Sequence, residues 1–339
     1  MEEVKEEKKR ILLIAPVFFG YYKEMLKEIK RQGYDADYIC DMPSNSNVLK
    51  AVGRINKKLT YGVTEKYFKN EVLPKISKEK YDYVILVAGM TFAFSAEMME
   101  KIRELQKGAK FAAYQWDSEK NLPYSTGIHK FFDKIYTFDR PDSIAQPEKY
   151  TFLPLFYLPE YAEIAKDKAE ILYDCSYIGT AHPRKYKEIN EISGQLKELL
   201  PRQFIFHYMP SKLKYIYHKI KAPEYKNAKF SDFETEKLSK EETLEIIKKS
   251  FCVLDAPQGG QTGLTIRTIE CLGAEKKLIT TNGDIKNYDF YDEANILVFE
   301  SGMEISAEDP FFSEAYHKLS EEIYKKYSLE SWIKTLIEG

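Results

Sequence analysis

Residues 253–282, VLDAPQGGQTGLTIRTIECLGAEKKLITTN, hold the densest group of side chains able to do chemistry. An apolar run ends at Asp255-Ala256-Pro257 and gives way to Gln258, Gly259, Gly260, Gln261, Thr262 and Gly263. A helix is expected to start near Leu264 or Thr265. Glycines let a backbone approach a ligand closely, and the free N–H groups of a helix start attract phosphate oxygens. Arg267 falls in the first turn, where a cation opposes the helix dipole unless an anion lies nearby. Glu270, one turn further, is placed to accept hydrogen bonds from ribose hydroxyls. A solvated loop followed by an ordinary helix is the plainer alternative, because a glycine-rich loop alone is a weak signal.

These groups need a scaffold, and the hydrophobic pattern supplies one. Short apolar runs read as buried parallel strands at 11–15, 36–40, 81–89, 110–118, 134–139 and 152–157. Between them lie a helix closed by Gly33, a mostly helical stretch over 47–79, an amphipathic helix ending at Gly108 and a short helix at 128–134. Pro154 and Pro159 mark a boundary, after which the alternation restarts. Further strands are expected at 173–179, 202–209, 251–257, 276–282 and 295–300, with helices at 184–199, over KEETLEIIKKS, over TIRTIECLGAE and in the tail. The pattern predicts two α/β, doubly wound, Rossmann-like domains, with right-handed strand–helix–strand connections. The expected divisions are 1–157, 158–318 and a final helical segment, 319–339. In such sheets ligands bind at the carboxyl ends of the strands. Two facing domains would therefore make one deep cleft, suited to a reaction between two bound molecules.

The 339 residues suit about two domains, and 51 Lys+Arg against 53 Asp+Glu leaves the chain near neutral. That balance argues against a nucleic-acid-binding protein. Apolar residues at 44% and charged residues at 31% fit a globular chain, and no stretch has the length of a membrane span. The charged start, MEEVKEEKKR, does not read as a secretory signal. Cys40, Cys175, Cys252 and Cys271 form no close pair, so neither a metal cluster nor a redox motif is expected, and the thiols fit a reducing cytoplasm.

The stretch RTIECLGAEKKLITTN resembles the donor-site signature of GT-B glycosyltransferases. Taken with YQWDS, YTFD, FLPL and YDCSYIGTAHPRKY in that order, it is similar to the CgeB-like group of bacterial transferases associated with capsule, lipopolysaccharide or spore-surface glycans. The resemblance spans most of the chain and is strongest over 110–300, and YSLESWIKTLI resembles the family's final helix, which packs back across the interdomain region. It implies a glycosyltransferase with an N-terminal acceptor domain and a C-terminal domain that binds a nucleoside-diphosphate sugar. Glu270 matches the ribose-binding glutamate, and Thr265 and Arg267 would lie near the diphosphate. Gly179, Thr180 and Arg184 would border it. His182 could reach the phosphates or the sugar, or be a loop histidine without a role. Retaining relatives often carry a glutamate eight positions before the ribose-binding one. Thr262 stands there, beside Gln261, so retention and inversion both stay compatible with the sequence.

An inverting transfer needs a general base for the acceptor hydroxyl. Asp117 at the end of YQWDS is the candidate, with a cap or turn role as the alternative. Trp116 could stack on a sugar and Gln115 bond its hydroxyls, while Phe18, Phe19 and Gly20 end the first strand and should line the cleft. Asp139, Arg140 and Asp142 form another strand-end cluster, for which internal salt bridging is the expected role. Asp35-Ala36-Asp37 matches the metal-binding DxD string, but it opens the second strand and is rejected, so the expected mechanism needs no metal. Two basic runs remain: Lys50, Arg54, Lys57 and Lys58, and a Lys- and Tyr-rich segment over 208–229. Either could give peripheral contact with an anionic membrane or a lipid-linked glycan acceptor at its inner face, or be a solvated surface. Rival expectations are a GT-B-like epimerase or phosphorylase, for which no cofactor-bearing lysine motif is found, and a non-catalytic sugar-binding module.

Overall fold

The computed structural model describes residues 8–17, 20–43, 57–89, 91–167, 169–257 and 262–339. The chain divides into two compact units, Met1–Pro154 with Leu329–Gly339, and Leu155–Ser328.

The first unit carries β1 (Arg10–Ala15), β2 (Asp35–Cys40), β3 (Tyr83–Ala88), β4 (Lys110–Gln115), β5 (Lys134–Thr137) and β6 (Thr151–Phe152). They form one parallel sheet in the order β2-β1-β3-β4-β5-β6. Its central strands are apolar on both faces: Ile11 to Ile14 and Val84 to Val87 are fully buried, as continuous Val/Ile/Leu runs require. The helices are α1 (Tyr21–Arg31), α2 (Tyr61–Tyr67), α3 (Leu73–Lys78), α4 (Ala96–Leu105) and α5 (Arg140–Ala145). Between α2 and α3 the chain passes through a π-helical turn, Phe68–Val72. Pro74 lies at the start of α3 and lacks the N–H that an unbroken α-helix needs, which accounts for the break. Gly20 precedes α1 at φ +76°, a left-handed conformation that glycine adopts without strain.

The second unit holds α6 (Pro159–Lys166), β7 (Tyr173–Thr180), α7 (Pro183–Leu196), β8 (Gln203–Tyr208), α8 (Lys212–Lys221), α9 (Lys240–Lys248), β9 (Ser250–Asp255), α10 (Ile266–Gly273), β10 (Lys277–Thr280), β11 (Ile296–Val298), α11 (Pro310–Ser313) and α12 (Glu321–Lys326). Its parallel sheet runs β11-β10-β9-β7-β8. From β7 the chain steps outward to β8, then returns across β7 to β9. The winding direction therefore reverses between β7 and β9, which is where open α/β sheets bind ligands. Cys175, Ile189, Ile192, Leu196, Cys252 and Ile279 fill the core on the α7 side, all fully buried.

The last helix, α13 (Leu329–Glu338), belongs to the first unit. Trp332 is buried against Tyr114, with ring centroids 4.8 Å apart, Glu330 pairs with Arg31 at 2.9 Å, and Tyr136 Oη donates to the Thr335 carbonyl at 3.1 Å.

Two Rossmann-like units match the fold read from the sequence, and the differences are local. The strand expected at 152–157 shrinks to Thr151–Phe152, because Pro154 cannot donate to a ladder. The helix expected at 128–134 is a 3-10 stretch, Pro123–Phe131. The strand expected to reach residue 139 stops at Thr137, since Asp139 caps α5 by accepting from the Asp142 amide at 3.1 Å. Asp142 in turn accepts from the Glu119 amide at 2.7 Å, so these two carboxylates bond backbone amides. Asp37 pairs with Arg10 and Lys75 and accepts from Tyr81 Oη, which commits it to the fold.

Candidate functional site

Five elements meet at the switch point of the second sheet: the carboxyl ends of β7 and β9, the starts of α7 and α10, and α6. Pro183 opens α7 at a position where no N–H partner is needed. Thr265 caps α10, its Oγ1 accepting from the Thr268 amide at 3.3 Å and donating to Asp255 Oδ2. Thr268 Oγ1 donates to the same oxygen at 3.1 Å. The carboxylate that ends β9 thus fixes the first turn of α10. The Thr265 hydroxyl, expected near a diphosphate, is already engaged in this cap.

Arg267 and Glu270 lie one turn apart on α10, with Nη1 2.8 Å from Oε2. Tyr161, buried on α6, lies beside both, and burial with the Glu270 charge next to it raises its phenol pKa. Glu270 is only 4% exposed, so the carboxylate expected to meet a ribose is covered by an arginine and a tyrosine of its own unit. The expected clash between Arg267 and the helix dipole is relieved from inside the helix.

Lys185 was not singled out by the sequence. It is half-buried on the first turn of α7, and burial lowers its pKa, as does Arg267, while Asp255 and Glu188 oppose the shift. Two cations, Lys185 and Arg267, therefore share the switch point with two helix starts. Arg184, which the sequence favoured, turns outward and binds Glu188 Oε1 at 2.5 Å with more than half its side chain exposed. Glu188 also accepts from Thr281 Oγ1 at 2.9 Å. One helical position separates the two basic residues, and only helix register tells which faces in.

His182 occupies the N-cap position of α7 without a side-chain capping bond. Its pKa falls to about 4, chiefly through burial and then through Lys214, Lys185 and His218, so the ring is neutral near pH 7. It can bond a ligand there but adds no charge. Gly179 and Thr180 end β7. Glycine at 179 is required by Tyr177, because a Cβ there would lie 2.3 Å from Tyr177 Oη. Thr262 and Gly263 are held by Asn282 Nδ2, which donates to their carbonyls at 3.1 and 3.3 Å. Gln258, Gly259, Gly260 and Gln261 lie outside the described residues.

In the first unit, Phe18 and Phe19 lie outside the described residues, as do Lys50 and Arg54. Gly20 adopts its left-handed turn before α1. Asp117 sits in the turn after β4, where Oδ1 accepts from the Ser118 amide at 2.9 Å and Asn121 Nδ2 at 2.8 Å. Burial raises its pKa, and the Asp139 charge adds to the effect. Trp116 is half-buried, in edge contact with Tyr21 and Tyr114. Gln115 is 1% exposed and donates to Tyr150 Oη at 3.2 Å, so it supports the strand end from inside and is not at a surface. Among the described residues no group of three or more His, Cys, Asp or Glu side chains is gathered to hold a metal ion.

No family model matches the sequence, and no curated protein is significantly similar to it. Solved structures do share its fold. Sucrose-phosphate synthase from Thermosynechococcus elongatus superposes with a TM-score of 0.53 at 10% identity, covering 97% of this chain and 95% of that one. A glycosyltransferase from Rickettsia africae gives 0.50 at 14%, covering 98% and 94%. Anabaena HepE, solved in complex with UDP and glucose, gives 0.56 at 8%, covering 98% and 99%. Two parallel-sheet, Rossmann-like α/β domains in succession are the architecture of GT-B glycosyltransferases, and that is the fold of this chain.

Proposed function

We propose that the protein is a glycosyltransferase that takes a sugar from a nucleoside diphosphate and passes it to a hydroxyl of a glycan or lipid-linked acceptor. One observation carries the reading: Lys185 and Arg267 stand together at the switch point of the second sheet, beside the starts of α7 and α10. Two cations and two sets of free helix N–H groups suit a diphosphate, first as ligand and then as leaving group. HepE, which shares the fold, was solved with UDP and glucose. The CgeB-like motifs support a surface-glycan acceptor of the capsule or lipopolysaccharide type.

In this reading the diphosphate charge is held by Lys185, Arg267 and backbone amides, without a metal. Neutral His182 donates one hydrogen bond. Glu270 meets the ribose once Tyr161 gives way. Asp117, with its raised pKa, is the proposed base for the acceptor hydroxyl.

The test is a thermal-shift series with UDP, GDP, dTDP and CDP. A ligand that binds only the native state must stabilise it, by about 2.7 kcal/mol at 100 times its Kd. One of the four is expected to raise the melting temperature of the wild type, and the Lys185→Met variant to lose most of that rise. No shift with any of them would remove the donor-site assignment.

A further inference from the structure

Helix α8 is built inside out. Leu213, Ile216, Tyr217 and Ile220 fall at i, i+3, i+4 and i+7 and so share one face. In a globular protein such a stripe normally faces the core. Here these side chains are 79%, 43%, 60% and 75% exposed, and no residue of the helix is buried.

The opposite face does the docking. Tyr215 packs on Phe230 and Phe233 at centroid distances of 5.4 and 5.7 Å, and its Oη donates to the Ala228 carbonyl at 3.0 Å. His218 lies 5.4 Å from the Tyr225 ring. Lys219 ties the helix to the loop beneath it, bonding the carbonyls of Lys226 and Ala228 at 2.7 and 2.6 Å. Ser211 caps the start by accepting from the Lys214 amide at 3.2 Å. The outward stripe is therefore presented by a helix fixed at both ends.

Charge completes the pattern. By helical geometry Lys212 and Lys219 flank the stripe on one side, and Lys214 and Lys221 on the other. The segment KLKYIYHKIK contains no acidic residue. An apolar stripe between two rows of lysines matches the boundary of an anionic bilayer: alkyl side chains and the tyrosine ring enter below the headgroups, and lysine stems reach up to the phosphates. A second copy of the chain fits poorly, because pairing the stripes would bring two sets of these lysines together. Among the described residues no helix is long and apolar enough to cross a membrane, which agrees with a helix that lies on one.

We propose that α8 is an interfacial anchor that lies flat on an anionic lipid surface through Leu213, Ile216, Tyr217 and Ile220, with Lys212, Lys214 and Lys221 at the lipid phosphates. The proposal rests on the exposed face alone and stands independently of the reaction proposed above.

Vesicle flotation of the full chain tests it, with phosphatidylcholine vesicles and with vesicles containing 30% phosphatidylglycerol (about a third anionic, enough for a strong surface potential). The wild type is expected to float with the anionic vesicles only, and less as salt rises. The variant Leu213→Ser/Ile216→Ser/Ile220→Ser, which keeps every lysine, is expected to bind at least about tenfold more weakly, as is Lys212→Glu/Lys221→Glu. All five positions are exposed, so unchanged circular dichroism and melting temperature serve as the folding control. Failure of the wild type to float, equal flotation of the serine variant, or equal binding to neutral vesicles would overturn the proposal. Concentration-dependent dimerisation in sedimentation velocity that the serine variant abolishes would assign the face to a second copy, and would overturn it equally.

Discussion

Arg267 Nη1 lies 2.8 Å from Glu270 Oε2, and the buried phenol of Tyr161 lies beside both. The three form one covered unit on α10 and α6, so removing one member leaves a polar partner without its complement. Arg267→Met and Glu270→Gln are each expected to destabilise the protein by about 2–3 kcal/mol, toward the lower end for a broken buried pair, since part of Arg267 reaches solvent. The double variant should recover part of that loss, with a coupling of about 1–3 kcal/mol in urea denaturation. Strict additivity would show the pair to be energetically idle.

Lys185 and Arg184 are neighbours in sequence with opposite expected phenotypes. Lys185→Met keeps the bulk of the side chain and should weaken nucleoside-diphosphate binding roughly 10- to 100-fold, the loss of one or two charge-assisted hydrogen bonds. Arg184→Met removes a cation already engaged by Glu188 at an exposed site and should change affinity less than about threefold. Isothermal titration of both variants against the nucleotide found by thermal shift distinguishes them, and a reversed order would move the phosphate site outward.

Gly179→Ala should destabilise through contact with Tyr177, by about 1–3 kcal/mol for an overpacked site. Tyr177→Phe removes the nearest atom but leaves ring carbon Cζ 2.7 Å from the new methyl, so it should relieve the clash only partly, whereas Tyr177→Leu should relieve more. Melting temperatures of the two double variants against the single one decide the point.

Asp117 should separate activity from stability. Burial raises its pKa, so between the unfolded and folded values the native state binds more protons than the unfolded chain. Ionisation therefore costs stability as pH rises through that window. Asp117→Asn removes this cost and keeps an acceptor for Ser118 and Asn121, so stability at neutral pH should hold or rise. Turnover should fall about 10²- to 10⁴-fold if the carboxylate is the base. The acid limb of the wild-type kcat profile should lie above the ordinary aspartate range and be absent from the variant.

His207 offers a second pH test. It is 3% exposed among Tyr177, Tyr186 and Phe233, and burial lowers its pKa to about 4. A histidine held neutral by the fold contributes stability above its unfolded pKa that is lost as pH falls toward the folded one. The protein should therefore weaken between about pH 6.5 and 4, by up to about 1.4 kcal/mol per pH unit for each such histidine. His207→Phe should flatten that slope by one proton in denaturant titrations at pH 7, 6 and 5.

The sheets were legible in the sequence because parallel strands buried on both faces write themselves as unbroken apolar runs, as Ile11–Ile14 and Val84–Val87 do. Strand ends were less so: the strand read to residue 139 stops at Thr137 because Asp139 caps α5, whereas the turn role weighed for Asp117 is the one its carboxylate takes with the Ser118 amide. At the switch point the string HPRKY singled out Arg184, which turns outward to Glu188, while Lys185, one residue of register away, is the half-buried cation. The burial of Glu270 was not legible at all, because its cover, Tyr161, lies more than a hundred residues away in an unmarked helix. In α8 the spacing of apolar residues was visible as letters, but the same spacing describes a core helix, and only the inward placement of Tyr215 and His218 shows which way the stripe points.

The membership of α13 in the first unit has a consequence for biosynthesis. Trp332 closes over Tyr114, yet more than two hundred residues separate them, and the whole second sheet is translated in between. While the ribosome is still making that sheet, the earlier unit stands with an unfilled apolar seat beside Tyr114 and Arg31 lacking Glu330. Its consolidation must wait until α13 emerges, so a nascent chain arrested at residue 328 should remain protease-sensitive in a unit whose own sheet was finished long before.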